Sequence, residues 1–404
     1  MSTRGISVGV VGAGIGGLST ALSLLTAGFD VHVYEQASTL GEVGAGVQVS
    51  PNASRVLHRL GLGEALAATG VKPSGLRQRR WDDGRTLLRT PWGEPLEAAS
   101  GFPYYHMHRA DLLAALAGAV PAGRVHLGHR LVGLTDEGDS VRAGFADGTS
   151  TEVDLLVGAD GIHSVVRTAL FGPERPRFTG CVAYRGLIPA ERLADLSLEP
   201  VAELWLGPGQ HFVNYFVSGR RLLNFVAVVE RDTWTRESWI DHGDVAEARA
   251  AFAGWHPQVR GILNAVDETF VWALFDRAPL DRWSVGRVTL VGDACHPMLP
   301  FMAQGAAQAV EDGAALTTCL AEAGDDVAGA LQRYERVRIP RTARLQGMSA
   351  DNKTRNHLPD GPAQRERDAR MASSATGMSF ESVAWIYRHD AFISSDAAPP
   401  RSLT

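Results

Sequence analysis

The chain has 404 residues, of which 45% are hydrophobic, and a formal net charge of -6. This length suits two domains with a sizeable buried core. Both signs of charge are mixed along the chain, so there is no basic stripe for nucleic acid and no polybasic patch for a membrane. No apolar run approaches the ~20 residues of a membrane helix, and no cleavable signal precedes the first strand. We therefore expect a cytoplasmic protein without nucleic-acid or membrane partners.

The three cysteines give no indication of a metal or disulfide site. Cys181, Cys295 and Cys319 lie far apart and match neither kind of spacing. We expect reduced thiols and no bound metal.

The first motif is an apolar strand at residues 6–11, followed directly by the glycine-rich turn GAGIGG and by leucines at helical spacing. Gly12 permits the turn, and Gly14 removes a side chain where a pyrophosphate approaches the backbone. Gly17 lets the helix pack closely on the strand. The N-terminus of this helix would receive the phosphate charge.

A second strand at residues 30–34 ends at Glu35, about 20 residues after the turn, where a carboxylate accepts a ribose hydroxyl. The turn alone could be a coincidental glycine-rich segment. Strand, helix, second strand and terminal acid nevertheless follow in the order of a dinucleotide-binding unit. This pattern leaves NAD and FAD both open.

Another glycine-rich segment, GEVGAGVQVSPN at residues 41–52, suits close approach to a flat ligand, although it could be a simple connector. A helix is predicted near residues 53–60, and residues 77–90 resemble a hairpin that begins a second domain. Strands are predicted at residues 125–134, 141–145 and 153–157. Asp160 follows the last of them, at the edge where open α/β sheets bind ligands.

Long β-like runs between residues 181 and 276 predict a mixed or antiparallel sheet. In HFVNYFV the two-residue period places His211, Val213 and Tyr215 on one face and the intervening residues on the other. A hairpin turn at residues 218–220 and a helix near residues 244–253 follow. His211 and Tyr215 could serve a phenolic ligand or could be packing residues of an aromatic strand.

A last short strand at residues 288–291 is followed by Asp293, as the earlier strand is followed by Asp160. Two carboxylates from distant segments therefore meet at one sheet edge, which favours a single extended ligand. A further helix carries Glu311 and Asp312.

The C-terminal part is predicted to be helical. Residues 330–346 form a basic amphipathic pattern that we expect to be interrupted at Pro340. Residues 356–370 are predicted to link it to a last helix containing Trp385.

Three segments, GAGIGG with Glu35, GADGIHSVVR and GDACHPMLPFMAQGAAQAVED, resemble the single-component FAD-dependent aromatic hydroxylases, most closely the salicylate and hydroxybenzoate hydroxylase branch. The resemblance covers most of the chain. It implies an α/β fold with a Rossmann-like FAD-binding domain, a second mixed β-sheet substrate domain and C-terminal helices. The implied FAD-binding parts are residues 1–75, 105–175 and 285–355, the substrate parts are 76–104 and 176–284, and the helical segment is 356–404.

The resemblance also implies roles for individual residues. His211 and Tyr215 would be catalytic, and Asp160 with Arg167 would belong to a segment linked with FAD and the nicotinamide cofactor. The residues implied to bind cofactor are Gly12, Ala13, Gly14, Gly17, Glu35, Gln36, Val47, Arg109, Leu131, Asp160, Asp293, Pro300, Gly305 and Ala306.

The implied reaction uses FAD, NADH or NADPH, and molecular oxygen, and hydroxylates a small aromatic substrate through a flavin hydroperoxide. Two departures bear on that substrate: some hydroxynicotinate enzymes carry histidine where Phe301 and Gln48 stand, so we expect a phenolic acid such as a salicylate or hydroxybenzoate. Many relatives also have glycine where this chain has Ala303. The alternatives are a dehydrogenase or reductase of the same fold and a hydroxylase of a larger aromatic natural product. We expect a monomer or homodimer.

Overall fold

The computed structural model describes residues 5–41, 45–233, 242–373 and 380–393. Residues 42–44 of the second glycine-rich segment lie outside the described residues, as do residues 394–404 of the expected C-terminal segment. In the described ranges, no helix combines the length and the apolar character needed to cross a membrane.

The strands, numbered in chain order, are β1 (Ser7–Val11), β2 (Asp30–Glu35), β3 (Gly46–Val49), β4 (Gly75–Arg80), β5 (Thr86–Pro91), β6 (Tyr105–His108), β7 (Val125–Leu127), β8 (Leu131–Asp136), β9 (Val141–Phe145), β10 (Ser150–Val153), β11 (Leu155–Gly158), β12 (Arg177–Pro189), β13 (Ala202–Gly207), β14 (Gln210–Val217), β15 (Leu222–Glu230), β16 (His242–Gly243), β17 (Thr269–Asp276) and β18 (Val288–Leu290).

The α-helices are α1 (Ile15–Thr26), α2 (Pro51–Arg59), α3 (Gly63–Thr69), α4 (Glu94–Ser100), α5 (Arg109–Ala119), α6 (Val165–Phe171), α7 (Val245–Ala251), α8 (Pro257–Asn264), α9 (Gly305–Ala323), α10 (Val327–Asn356), α11 (Pro362–Ser373) and α12 (Phe380–Tyr387).

A parallel five-stranded sheet, in the order β18-β11-β1-β2-β7, forms the first layer. Its central strands carry continuous apolar runs because helices cover both faces, and Val10, Val33, Leu156 and Leu18 of α1 are fully buried. Burying a side chain of this kind contributes about 1.5–3 kcal/mol. Since the strands are parallel, the carboxyl ends of β1, β11 and β18 meet at one edge, as the sequence predicts.

The second layer is an eight-stranded mixed sheet in the order β16-β17-β12-β15-β14-β13-β4-β5, antiparallel except between β4 and β13. One face packs against α7 and α8, where Phe212 and Phe225 meet Phe252 and Ile262 in a separate hydrophobic core. The other face is turned toward the edge of the parallel sheet. The α/β class, the nucleotide-binding fold and the mixed second sheet are therefore confirmed.

Two predicted strands are in fact broken. Residues 125–134 divide into β7, which joins the parallel sheet, and β8, which joins a three-stranded sheet with β9 and β10. Gly128, with φ of +77°, lies at the break. The strand predicted at residues 153–157 is broken at Asp154, which separates β10 from β11. The Asp154 carboxylate accepts hydrogen bonds from the backbone N–H and the hydroxyl of Ser7, and so anchors the chain where it changes sheets.

Two C-terminal expectations are wrong. The helix predicted to be interrupted at Pro340 continues as α10, because Arg338 and Arg341 on either side of the proline pair with buried carboxylates of α9. The stretch expected to be a link contains α11, which begins at Pro362, a residue favoured in the first turn of a helix. The division of the chain into domains at the expected boundaries stays a proposal, supported by the separate membership of the two large sheets.

Candidate active site

A cavity of about 380 Å³ lies between the edge of the parallel sheet and the mixed sheet. We call it the central cavity. One side consists of backbone segments around residues 14–16, 45–48, 161–163 and 291–306. The other side is the open face of β12, β14, β15 and β17. Its size is that of a small-molecule site.

The backbone side presents two helix N-termini to the cavity. Gly14 precedes α1 and Gln304 precedes α9, and neither helix has a side-chain cap among the described residues. Gly14, Gly305 and Ala306 line the cavity. The first N–H groups of a helix lack intrahelical partners and carry partial positive charge. This side is therefore suited to anionic groups, such as a pyrophosphate at α1.

The glycine turn has the geometry that its sequence predicts. Gly12 has φ of +102°, and a Cβ there would collide with the Ala159 carbonyl. A Cβ on Gly17 would overlap the Gly12 oxygen, so glycine is needed for close packing. A Cβ on Gly14 would meet nothing within 4 Å, which leaves room beside the backbone for a ligand.

The sheet side carries the polar side chains that the β14 alternation predicts. His211, Val213 and Tyr215 line the cavity, while Phe212 lies in the hydrophobic core on the other face. Residues directly opposite in an antiparallel pair share a face, and Tyr215 lies opposite Asn224 of β15.

His211 is buried and contacts two residues from beyond its own sheet. Its Nδ1 lies 2.6 Å from Nε2 of His357, just after α10, and its ring meets Phe301 edge-on at 4.9 Å. Burial, reinforced by His357, lowers the pKa of His211 well below its ordinary value. The imidazole is therefore neutral at neutral pH, the form that can accept a proton. Sequence reasoning did not identify His357, because no local pattern links it to β14.

Tyr215 is held as a protonated phenol. Burial raises its pKa well above the ordinary value, opposed by a hydrogen bond with Gln48. Gln48 in turn accepts a hydrogen bond of 2.6 Å from Tyr104. Tyr215 is therefore a hydrogen-bond donor rather than a base at neutral pH.

Two further polar residues on the sheet side were not identified from the sequence. Arg185 of β12 lines the cavity, is 7% exposed and lies over the Trp272 ring at 4.0 Å. Asn224 accepts a hydrogen bond of 2.7 Å from the Gly46 backbone, and its buried Nδ2 has no hydrogen-bond partner among the described residues. Strand alternation from β14 through β15 to β12 was the signal that could have found both.

Comparisons with known proteins agree with this geometry. A family model described as an FAD binding domain matches residues 5–348. A 3-amino-4-hydroxybenzoate 2-monooxygenase of Streptomyces platensis is 44% identical over 384 residues, covering 95% of this chain and 96% of the relative. A 6-hydroxynicotinate 3-monooxygenase of Bordetella bronchiseptica is 39% identical, covering 85% and 91%. Klebsiella pneumoniae HpxO, whose crystal structure contains FAD and uric acid, has a TM-score of 0.85 and 27% identity, covering 98% of each chain.

The chain belongs to this FAD-binding family. It is a flavoprotein aromatic hydroxylase that uses FAD with NADH or NADPH.

The residues of the hydroxylase fit FAD at the backbone side of the cavity. Gly14 leaves space beside the start of α1, and the start of α9 directs its N–H groups into the same cavity. Of the residues implied to bind cofactor, those that line the cavity are Gly14, Val47, Arg109, Asp293, Pro300, Gly305 and Ala306. Burial of the Asp293 side chain raises the pKa of its carboxyl group.

Other residues implied to bind cofactor lie outside the lining and support it. Glu35 accepts hydrogen bonds from the backbone N–H of Ala13 at 2.7 Å and of Ala37 at 2.8 Å, and so fixes the glycine turn to the tip of β2. Gly12 and Gly17 shape the same turn from behind. Contact of Glu35 with a ribose stays a prediction.

Four further residues named by the resemblance also lie outside the cavity lining. Asp160 lies outside the lining and accepts hydrogen bonds from Ser164 Oγ and from the backbone N–H groups of Val165 and Val166. It therefore caps α6, whereas its neighbours Ala159 and Gly161 line the cavity. Arg167 pairs with Glu174. Leu131 is buried in the hydrophobic core of the parallel sheet, and Gln36 is exposed after β2. Direct roles of these residues in cofactor binding stay predictions.

A buried ion network supports the loop that leads into α9. Glu311 and Asp312 both pair with Arg338, and Glu311 also pairs with Arg341. Asn52 donates hydrogen bonds to Glu311 and Gln304. These bonds link α2 to the loop at residues 297–306, which we call the cavity loop. Removing one member would leave a buried charge without its partner, a change that costs about 3–5 kcal/mol.

Proposed function

We propose that the protein hydroxylates 3-amino-4-hydroxybenzoate at carbon 2, with NADH or NADPH and molecular oxygen as co-substrates. The 44% identity to an enzyme named for that reaction supports the choice, because the match spans nearly the whole of both chains. Carbon 2 lies ortho to the amino group, whose electrons activate it. Deprotonation of the 4-hydroxyl donates electrons by resonance to carbons 1, 3 and 5, and assists attack at carbon 2, which is meta to it, only through the added negative charge of the ring.

The observation that carries the proposal is the arrangement of polar groups on the sheet side of the cavity. Arg185 lies opposite Val226, and Val226 lies opposite Val213, the residue between His211 and Tyr215 on the same face. Strands are about 4.8 Å apart, so Arg185 is about 10 Å across the sheet from β14. That separation leaves room for one aromatic ring between a cation and the two phenol-binding side chains.

Each end of the substrate then has a chemical match. The Arg185 guanidinium binds the carboxylate, because a buried cation is matched best by an anion that brings hydrogen-bond acceptors. His211 accepts the proton of the phenol, and Tyr215 donates a hydrogen bond to the resulting phenolate. The Asn224 Nδ2 group supplies a further donor between these ends.

Bound FAD supplies the oxygen chemistry after reduction by the nicotinamide co-substrate. The chain's own contribution is to place the ring against the loop at residues 297–306 and to shield it from water. Leu299, Phe301 and Trp272 give that region its apolar walls.

The test is to incubate the FAD-loaded protein with NADH or NADPH, oxygen and one aromatic acid at a time. We expect 3-amino-4-hydroxybenzoate to stimulate NADH oxidation and to gain one oxygen atom at carbon 2, as determined by mass spectrometry and NMR. The matched compounds are 4-hydroxybenzoate, which lacks the amino group, and 3-aminobenzoate, which lacks the phenol.

A faster conversion of salicylate or 6-hydroxynicotinate would contradict the proposed substrate. NADH oxidation without any oxygenated product would instead favour the reductase alternative. The cytoplasmic location and the monomeric or dimeric state stay predictions.

A further inference from the structure

A chain of three titratable side chains leads from the central cavity to the surface. His211 Nδ1 lies 2.6 Å from His357 Nε2, and His357 Nδ1 lies 2.8 Å from Glu230 Oε1. His211 and His357 are 3% and 5% exposed, whereas the side chain of Glu230 is 44% exposed. The first member therefore faces the substrate cavity and the last one reaches water.

The direction of the hydrogen bonds follows from the acceptor at the outer end. A carboxylate oxygen can only accept, so Nδ1 of His357 donates to Glu230 Oε1. The Nε2 atom of a neutral His357 is then an acceptor, and His211 must donate to it through Nδ1. The other ring nitrogen of His211, Nε2, then carries a lone pair. Because His211 lines the cavity, this lone pair is the group that can accept a proton from the substrate.

His211 is poorly suited to keep a proton. Burial lowers its pKa, and the pKa of His357 is also lowered, mainly by burial, although Glu230 opposes that change. The charged groups around His357 are Glu230 of β15 and Lys353 of α10, and the Cys181 thiol of β12 lies in the same cluster. Of these, Glu230 is the exposed group that is hydrogen-bonded to His357.

Backbone contacts hold the three members in place. The N–H of Gly209 donates to the carbonyl of His357 at 3.0 Å, and the N–H of Glu230 donates to the carbonyl of Gly209 at 2.9 Å. The turn before β14 thus joins the end of α10 to the end of β15. Phe301 of the cavity loop packs edge-on against the His211 ring, at 4.9 Å, and its ring lies 6.1 Å from that of His357.

We propose that His211, His357 and Glu230 form a proton relay that carries the phenol proton of the bound substrate out of the cavity. This inference rests on the proposed function, because it requires a phenolic substrate at His211. His211 Nε2 takes the phenol proton as its Nδ1 proton passes to His357 Nε2. The Nδ1 proton of His357 passes to Glu230, which releases it to water. One proton enters and one leaves, and the reverse transfer restores the tautomers when the product phenol is protonated.

The test is proton release on substrate binding, without NADH, so that no turnover occurs. FAD-loaded protein is mixed rapidly with 3-amino-4-hydroxybenzoate in weak buffer containing a pH indicator, and the absorbance of the bound phenolate is followed in parallel. We expect Glu230→Gln and His357→Asn to slow both signals at least about tenfold, at unchanged FAD content.

Chemical rescue separates a relay from a purely structural role. Formate should restore proton release in Glu230→Gln, whose missing group is at the surface, but not in His357→Asn. Glu366→Gln makes the same chemical change at an exposed site on α11 and should behave as wild type. Cys181→Ala should also behave as wild type, because the thiol is near the relay but not part of it.

Wild-type release rates in His357→Asn would overturn the relay, and so would a failure of formate to rescue Glu230→Gln. Loss of proton release on treatment with EDTA, or in Cys181→Ala, would show that Cys181, Glu230 and His357 hold a metal instead. Bound phenolic acid without proton release from the wild type would also reject the relay. The proposed hydroxylation is judged separately, by the oxygenated product formed with NADH.

Discussion

The two sides of the central cavity present different chemical groups to a ligand. The side formed by the parallel sheet presents backbone, namely the glycine turn before α1 and the open N-terminus of α9. The side formed by the mixed sheet presents side chains, with His211, Tyr215 and Arg185 on one face. Backbone N–H groups suit a cofactor with phosphates, whereas side chains can be exchanged to suit a particular substrate. We therefore expect substitutions on the first side to affect FAD binding or folding, and substitutions on the second to affect substrate turnover.

The largest effect is expected from His211→Ala on the sheet side. Loss of proton transfer should lower productive hydroxylation by about 10² to 10⁴ while FAD content remains nearly intact. Hydrogen peroxide formed per NADH consumed should rise, because a poorly activated ring captures less of the activated oxygen. Product, peroxide and FAD are measured in parallel.

Val213→Ala is the matched control, because Val213 lies on the same face without a titratable group. The pH dependence adds a second check. Because the pKa of His211 is lowered, the imidazole stays neutral as the pH falls through 6.5, and wild-type activity should not decline there through protonation of His211. Equal product per NADH and equal pH profiles in wild type and His211→Ala would assign the residue to packing.

A pair of glycine substitutions separates folding from cofactor binding on the backbone side. Gly17→Ala should destabilise the protein by about 3 kcal/mol, because its Cβ would overlap the Gly12 carbonyl oxygen. Gly14→Ala meets open space at an extended backbone conformation, so its unfolding free energy should change by less than about 0.5 kcal/mol. Its FAD affinity should nevertheless fall.

Chemical unfolding of the apoprotein and FAD titration measure the two effects independently. If Gly14→Ala binds FAD as tightly as the wild type, the space beside Gly14 is not used by the cofactor, and the site assignment on this side would need revision.

The sequence predicted the backbone side better than the sheet side. Glycine positions and the strand-turn-helix order are local patterns, and they identified the turn at Gly12 and the close packing at Gly17, whereas the cofactor contact at Gly14 stays a prediction. Alternation within β14 was also local, so His211 and Tyr215 were placed on one face correctly. Arg185 and Asn224 lie on other strands, and their placement depends on strand order and register, which the sequence does not state.

Residues that act across elements were the hardest to predict. His357 meets His211 only because the end of α10 is bonded to the turn before β14. The sequence placed Asp160 after a strand, but it did not reveal that this carboxylate also accepts hydrogen bonds from Ser164 and from the start of α6. The continuity of α10 through Pro340 depends on ion pairs with α9, and propensity alone therefore predicted an interruption there.

Arg185→Met tests the carboxylate end of the proposed substrate site, which lies across the sheet from His211 and Tyr215. Loss of a charge-assisted bond to the substrate carboxylate is worth about 1.5–3 kcal/mol, so KM should rise by about 10- to 100-fold. FAD affinity should remain unchanged, because Arg185 lies on the substrate side. Arg177→Met removes an exposed arginine from the same strand and is the control. An unchanged KM in Arg185→Met, with the substrate still hydroxylated, would show that another group binds the carboxylate.

The smallest effect is expected at Ala303, where the cavity loop enters α9. Ala303 has φ of +51°, a left-handed conformation that costs an L-residue roughly 1–2 kcal/mol relative to glycine. Glycine makes the unfolded chain more flexible, which offsets about 0.4–1 kcal/mol. Ala303→Gly should therefore stabilise the apoprotein by only about 0.5 kcal/mol, measured as a shift in denaturant midpoint.

Ser197→Gly, at φ of +47° after β12, relieves the same kind of strain outside the cavity and should give a similar gain. FAD affinity should be unchanged in both, because glycine keeps the backbone N–H groups of the loop. A loss of FAD affinity confined to Ala303→Gly would show that the methyl group itself holds the loop against the cofactor, and the contrast between a backbone side and a side-chain side would no longer hold at this residue.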